Sequence, residues 1–396
     1  MKKVLIASYD MEVGGVERSL ISMLEHFDYT SFKVDLMLYR HQGEFMNLIP
    51  PEVTILNEVA QYTTFRKSIK EVFKEKHYRL GLARLQSKVN ADVLGKIKKM
   101  TEPGYYQMQL MWKYSLPFLP ELEREYDVAI SYLWPHYFVA EKVKAKKKIA
   151  WIHTDYSTVE TDINLDLKLW NKFDHIIAVS DACKDSFLNK YGALKNKITV
   201  IENITSPHFI KKMSNQEVDN PMENDNRFKI LTVARLSHAK GIDIAIKALK
   251  ILKDEGFENI VWYLVGYGGD ELKIKELIKT NELKDTFILL GKKTNPYPFI
   301  KKANIYVQPS RYEGKAVTVR EAQVLGKPVL ITNYPTSKSQ GLDGVDLLIT
   351  SLSPKGVAEG ISSLIRDDNL RKKLSYNTLK TDYSNKKEID KLNCLT

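Results

Sequence analysis

The chain has 396 residues, 43% of them hydrophobic and 28% charged, with a net charge of +11. That is too long for one ordinary core and ordinary in composition for soluble globular protein, so two domains are expected and a collagenous, disordered or disulfide-scaffold class is excluded. No run approaches the ~18 apolar residues that cross a bilayer. Met1-Lys2-Lys3 runs into Val4-Leu5-Ile6-Ala7 and meets Asp10 and Glu12 at once, which reads as a strand and not a signal peptide. The two cysteines, Cys183 and Cys394, stand in no metal-ligand spacing, so a reducing cytoplasm is the expected compartment.

In chain order, Val4–Ser8 is an apolar strand that runs through Gly14-Gly15 into a helix with Val16, Leu20, Met23, Leu24 and Phe27 at helical spacing. A strand, a glycine turn and a helix open a doubly wound unit, whose ligands gather at the strands' carboxyl ends. Strands are predicted over 32–39 and 53–56. From 61 to 125 the sequence turns basic and helix-favouring, with Phe65, Phe73, Tyr78, Tyr105, Tyr106, Trp112 and Tyr114 among its charges. Between Arg66 and Met100 eleven Lys/Arg face three acids, a local balance of +8. Three readings fit such a segment: a membrane-surface face, a solvated helical insertion, or a nucleic-acid patch. No nucleic-acid-binding motif accompanies the charge, and nucleic acid is not expected as a partner.

Strands follow at 127–131 and 148–152, the second ending at His153-Thr154-Asp155, where an α/β fold builds its sites. Further strands are predicted at 175–180 and 198–201. The polar stretch 206–227, with Pro207 and Pro221, reads as an interdomain linker. Domains are therefore expected at 1–205 and 228–379, with the tail 380–396 free to pack back on the first.

The second domain opens with a strand over 229–234 and the turn Arg235-Leu236-Ser237-His238-Ala239-Lys240-Gly241. Arginine's planar fork and lysine's compact charge, five residues apart at a strand's end, can converge on one anion. A strand over 261–265 then meets Gly266-Tyr267-Gly268-Gly269, and others are expected at 287–291, 305–307, 328–332 and 347–349. After the run 305–307 comes Ser310-Arg311-Tyr312-Glu313-Gly314-Lys315-Ala316-Val317-Thr318-Val319-Arg320-Glu321. If it is helical from Lys315, the eight steps from Glu313 to Glu321 span roughly 12 Å, about the reach from a sugar past a diphosphate to a ribose. The helix start at Lys315, Ala316, Val317 and Thr318 points unpaired N–H groups at phosphate, and carboxylates accept hydrogen bonds from sugar hydroxyls.

The E-x(7)-E pattern within Ser-x-Tyr-Glu-Gly resembles the retaining glycosyltransferases of the GT-B fold, family 4 in particular. Arg-Leu-x-x-x-Lys-Gly resembles the basic pair by which that family holds the donor's pyrophosphate. The resemblance implies two Rossmann-like parallel-sheet domains facing across a cleft. It gives Glu313 the donor sugar, Glu321 the ribose, Arg235 and Lys240 the diphosphate, and Gly14, Gly15 and Gly266 the glycine turns beside donor and acceptor. His153, with Asp155 as the lesser candidate, falls near the sugar's reacting carbon. The implied substrate is a nucleotide-diphosphate sugar, a UDP-sugar first, with no cofactor and no metal, since no Asp-x-Asp motif follows a strand. The implied acceptor is a glycan, lipid-linked at an anionic membrane surface, as in capsule or exopolysaccharide synthesis, which makes the protein peripheral at the inner face of the membrane. Many family members carry Phe-Gly where this chain has Lys315-Ala316, so donor identity does not transfer. A non-catalytic partner subunit and a sugar-nucleotide epimerase are the rival readings. The first would be expected to lose the glutamate or the basic pair, and the second needs acid/base carboxylates that are not evident.

Overall fold

The computed structural model describes residues 1–396 except 13, 98, 99, 101, 102, 155, 314 and 315, with Thr158 described by its backbone alone. The chain forms two compact units, Met1–Ile204 with Asn385–Thr396, and Thr205–Ser384.

The first unit is built on β1 (Lys2–Ser8), β2 (Phe32–Leu38), β3 (Thr54–Ile55), β4 (Glu125–Ser131), β5 (Lys144–Ile152), β6 (His175–Ala178) and β7 (Ile198–Val200). They lie in the order β3-β2-β1-β4-β5-β6-β7, all parallel. Val4 pairs with Val34 on one side and Val128 on the other. These strands are continuous apolar runs because helices cover both faces, and Val4, Leu5 and Ile6 are wholly buried. Helix α1 (Gly15–Leu24) returns from β1.

The second unit repeats the plan with β8 (Phe228–Val233), β9 (Ile260–Val265), β10 (Phe287–Gly291), β11 (Ile305–Gln308), β12 (Val329–Thr332) and β13 (Leu348–Thr350), ordered β10-β9-β8-β11-β12-β13. Its core packs Trp262, Leu264, Ile305, Val307, Leu330 and Val357 together. Each unit starts at its centre, winds to one edge, and returns to wind to the other. The order reverses between β1 and β4 and again between β8 and β11, and such switch points are where doubly wound sheets open a crevice. Both sheets have the Rossmann-like parallel order expected of a GT-B fold.

Two segments, 61–125 and 206–227, differ in detail from their sequence reading. The stretch 61–125 is the return connection from edge strand β3 to β4, containing α2 (Tyr78–Ile97) and α3 (Gly104–Ser115). A connection lying over a sheet needs bulk beneath it, and Phe65 and Trp112 supply it, stacked at 4.0 Å and buried with Tyr62 against Tyr39. Several of its cations have partners: Arg66 Nε lies 3.1 Å from Asp10, Lys67 bonds Glu75 at 2.7 Å, and Arg84 donates to the Thr64 carbonyl at 2.6 Å. Lys98 and Lys99 lie outside the described residues. Within 206–227, Pro207–Ser214 is a helix capped by Ser206 and belongs to the second unit, because Phe209, Ile210 and Met213 give it an apolar face to bury. The tail forms α5 (Glu388–Leu395) in the first unit; Lys2 Nζ donates to the Thr396 carbonyl at 3.0 Å, and the Glu202 N–H to Glu388 at 3.0 Å.

Candidate active site

The carboxyl ends of β8 and β11 gather most of the candidate residues. After β8 the chain makes a short 3₁₀ turn, His238–Lys240, and ends it at Gly241 in the left-handed region, φ 65°. A Cβ at Gly241 would stand 1.9 Å from the Pro309 carbonyl oxygen. The glycine after Lys240 is therefore what lets this turn close against the loop leaving β11. The same contact is bolted by Arg311, whose guanidinium grips Asp243 with two bonds of 2.7 Å and donates to the His238 carbonyl at 2.8 Å. Hydrogen bonding to Arg311 holds the Asp243 carboxyl below its ordinary range. Neither Arg311 nor Asp243 stood out in the sequence; an arginine inside Ser-Arg-Tyr-Glu-Gly and an acid two residues after Lys-Gly are the signals that mark them.

This bolt brings Lys240 to Glu313. Lys240 Nζ lies 2.6 Å from one carboxylate oxygen of Glu313; the other oxygen accepts from Ser310 Oγ at 2.6 Å and Gln308 Nε2 at 3.2 Å. The Gln308 carbonyl end is held in turn by Tyr306 OH at 2.7 Å and Thr318 Oγ1 at 3.3 Å. Glu313 is buried while Lys240 is partly open, so the carboxylate's orientation is fixed by three donors and the cation meets solvent. Arg235, on the same turn, is exposed and makes no ion pair or side-chain hydrogen bond among the described residues.

Helix α4 (Val317–Val324) starts just beyond, two residues later than the predicted start. Its N-cap, Ala316, is buried and offers no side-chain acceptor, so the first-turn N–H groups at Val317 and Thr318 are not capped from that side chain. Glu321 is buried on this helix, and its Oε1 accepts from Tyr297 OH at 2.8 Å. Its described bond thus runs into the unit's core. Gly266, just past β9, has φ 153°, and a Cβ there would stand 1.9 Å from the Ala234 carbonyl oxygen. The β9 loop therefore packs directly under the turn that carries Arg235. Gly314 and Lys315 lie outside the described residues.

The remaining candidates lie in the first unit. Gly14 is the extended N-cap of α1 and Gly15 its first residue. The Glu17 carboxylate fills the space a side chain at Gly14 would need, and burial raises its pKa. Buried Asp10, paired with Arg66, stands at the same end of β1. Glu17, Asp10 and Arg66 were not singled out by sequence; buried charge beside a glycine loop is visible only once the sheet is assembled. His153 sits just past β5, half-buried, its ring 4.8 Å from that of Tyr132 and stacked 6.4 Å from Trp151. Desolvation lowers its pKa to about 3, so it is neutral at physiological pH. Asp155 lies outside the described residues. Among the described residues, no three His, Cys, Asp or Glu group as a metal site.

Two family models match the chain: Glycosyl transferases group 1 over residues 214–381 and Glycosyltransferase Family 4 over residues 13–208. The chain is similar to the capsular polysaccharide biosynthesis glycosyltransferase CapM of Staphylococcus aureus, 30% identical over 51% of this chain and 55% of CapM. It is also similar to the N,N'-diacetylbacillosaminyl-diphospho-undecaprenol alpha-1,3-N-acetylgalactosaminyltransferase of Campylobacter jejuni, 26% identical over 54% of this chain and 57% of that enzyme. The chain thus spans about half the length of these curated relatives. In fold it is similar to Anabaena HepE, crystallised with UDP and glucose, with a TM-score of 0.62 at 18% identity over the full length of both chains. Two Rossmann-like sheets and two family models that together span most of the sequence lead to one conclusion: the chain is a family 4-like glycosyltransferase of the GT-B fold.

Proposed function

We propose that this protein transfers a sugar from a nucleotide-diphosphate sugar, with UDP as the nucleotide, to a hydroxyl of a lipid-linked glycan in cell-surface polysaccharide synthesis, with retention of anomeric configuration and without a divalent metal. The observation that carries the reading is the buried Glu313 carboxylate held by Lys240 at the β8–β11 switch point, beside a helix start without a side-chain cap and an open Arg235. HepE's UDP complex supports the nucleotide, and the undecaprenol-linked substrate named for the Campylobacter relative supports the acceptor.

In this reading the bond between the sugar's anomeric carbon and the diphosphate oxygen breaks, and its electron pair leaves on that oxygen. Arg235, Lys240 and the N–H groups at Val317 and Thr318 stabilise the charge as it forms. The acceptor hydroxyl attacks from the face the diphosphate leaves, and its proton passes to the departing phosphate oxygen. Glu313 orients the donor sugar and Glu321 the ribose; Gly14 and Gly15 leave room for the diphosphate and acceptor, and Gly266 for the nucleotide. His153, neutral in its desolvated setting, is assigned the sugar's reacting carbon, where an imidazole can hydrogen-bond without adding charge. An intact Glu313–Lys240 pair speaks against a non-catalytic partner subunit.

The test is a transfer assay on the full chain with a panel of nucleotide sugars and an undecaprenol-diphosphate-linked glycan, with product anomers read by NMR. Selective melting-temperature increases identify the donor. Transfer is expected to persist in EDTA; loss that manganese or magnesium restores would remove the metal-free mechanism. An inverted product would remove retention.

A further inference from the structure

Helix α2 has an inverted distribution of side-chain size. Its buried side is lined by Gly81, Ala83, Ser87, Ala91 and Gly95 with Leu80, and lies against α3. Its large apolar residues point the other way: Tyr78, Leu82, Leu85, Val89, Val93 and Ile97 are each 45% to 70% exposed. Their spacing of three or four residues places them in one strip along the helix, ~28 Å long at ~1.5 Å per residue. Phe118 is also exposed and has the Arg79 guanidinium 5.9 Å from its ring centre, which carries the apolar surface past the helix start. Folding of this unit leaves about half or more of each of these side chains open, and a contiguous apolar surface of this size marks an interaction site.

The charges around the strip select its occupant. Arg79, Lys88 and Lys96 are exposed beside it and form no ion pair among the described residues, against one exposed acid of the helix, Asp92. A second copy is a poor fit. Two-fold pairing along the strip sets Lys88, near its midpoint, against its own counterpart, and Arg79 against the Lys96 end. A bilayer carrying anionic headgroups satisfies both features, taking the apolar side chains at the acyl boundary and the cations at the phosphates. Among the described residues no helix is long and apolar enough to cross a membrane, so α2 lies on the surface.

We propose that α2 is a membrane-docking helix that inserts Leu82, Leu85, Val89 and their neighbours into an anionic bilayer. Charge attracts the protein, while apolar insertion holds it. The purpose of this docking, presenting a lipid-linked acceptor to the enzyme, rests on the function proposed above; the docking itself does not.

The experiment floats the full chain with vesicles rich in phosphatidylglycerol and, separately, with phosphatidylcholine vesicles. Wild type is expected with the anionic vesicles and not the neutral ones, and high salt reduces this binding. Leu82→Gln/Leu85→Gln/Val89→Gln is expected to lower partitioning at least about tenfold, from the apolar area it removes. Lys88→Glu/Lys96→Glu, whose side chains lie outside the core, should lower it as well and gives an independent reading if the triple variant melts early. Flotation of both variants at wild-type levels overturns the proposal, as does failure of the wild type to float. A concentration-dependent dimer abolished by the triple substitution also overturns it, by giving the strip to a second copy. UDP-induced melting shifts are measured in parallel. A shift without flotation removes the docking alone, and flotation without a shift removes the donor reading alone.

Discussion

The two sheets share one strand order, yet their switch points carry different chemistry. At the β8–β11 edge the ends of adjacent strands are tied by ion pairs, Lys240 with Glu313 and Arg311 with Asp243, with Arg235 left open to solvent. At the β1–β4 edge the chain runs from β1 through a glycine loop into α1; one ion pair, Asp10 with Arg66, stands there, and the other nearby groups are aromatic or desolvated: Tyr132, Trp151, neutral His153 and buried Glu17. The same backbone plan thus supports one edge with two ion pairs and an open cation, and another with a single ion pair among aromatic and desolvated groups. In the proposed reaction a diphosphate that gains charge as its bond breaks suits the first kind of edge, and a hydroxyl acceptor suits the second.

Removing charge from the first edge should have the largest effect. Lys240→Ala is expected to cut transfer about 30- to 1000-fold, a transition-state loss of about 2–4 kcal/mol. It also strips a buried carboxylate of its cation. Because Lys240 is partly exposed, the stability cost is expected at about 1–2 kcal/mol by urea titration. Arg235→Ala should reduce transfer over a similar range yet leave the urea midpoint unchanged, since its guanidinium has no described partner. Near-wild-type turnover in both variants would break the contrast between the edges.

Arg311→Ala addresses how the charged edge is held together. It removes a bidentate bond to Asp243 and a bond to the His238 carbonyl, at an expected stability cost of about 1.5–3 kcal/mol. Lys240 is then less well placed, so kcat should fall while the protein remains folded. Arg311→Lys keeps the charge without the fork and should recover less than half of the lost stability. Full recovery with lysine would show that charge alone, and not planar geometry, joins the two loops.

Most of this architecture was legible before folding because parallel strands buried on both faces must be apolar runs, and the turns between them carry glycine for identifiable reasons. Gly241 is a case: a left-handed residue under the Pro309 carbonyl admits no side chain, so Lys-Gly marks the turn. The Glu313–Lys240 bond was less legible, since the two had been read as reaching separately toward sugar and phosphate, and only the Arg311 bolt shows why they meet. The segment 61–125 was misleading for a different reason. Composition records charge and aromatic content but not direction, so Trp112 and Phe65, which fill the core, looked like companions of the surface cations. The exposed strip of α2 was hidden by the same ambiguity. A helix apolar on both sides has no strong one-sided periodicity, and which side faces out is decided by the small residues that let α3 approach.

The smallest effect expected is a titration at the β1–β4 edge. Burial keeps His153 unprotonated down to about pH 3, whereas an unfolded imidazole takes up a proton near its ordinary value of about 6.5. Between those limits the unfolded chain binds the additional proton, so the stability associated with neutral His153 is complete above about pH 6.5 and is lost as pH falls toward 3. Full desolvation would make the loss about 2 kcal/mol from pH 6.5 to 5; for a half-buried ring about 1 kcal/mol is expected. In His153→Asn the urea-derived stability should therefore fall by about 1 kcal/mol less than in wild type between pH 7.5 and 5. Buried His136, also lowered to about 3, is present in both proteins; burial, the larger cause of its shift, is untouched by the substitution, while repulsion from His153, the smaller cause, is removed. If the two proteins lose stability equally, the imidazole at the end of β5 is charged or solvated in the folded state. The desolvated character assigned to that edge would then fail at His153, the residue proposed for the sugar's reacting carbon.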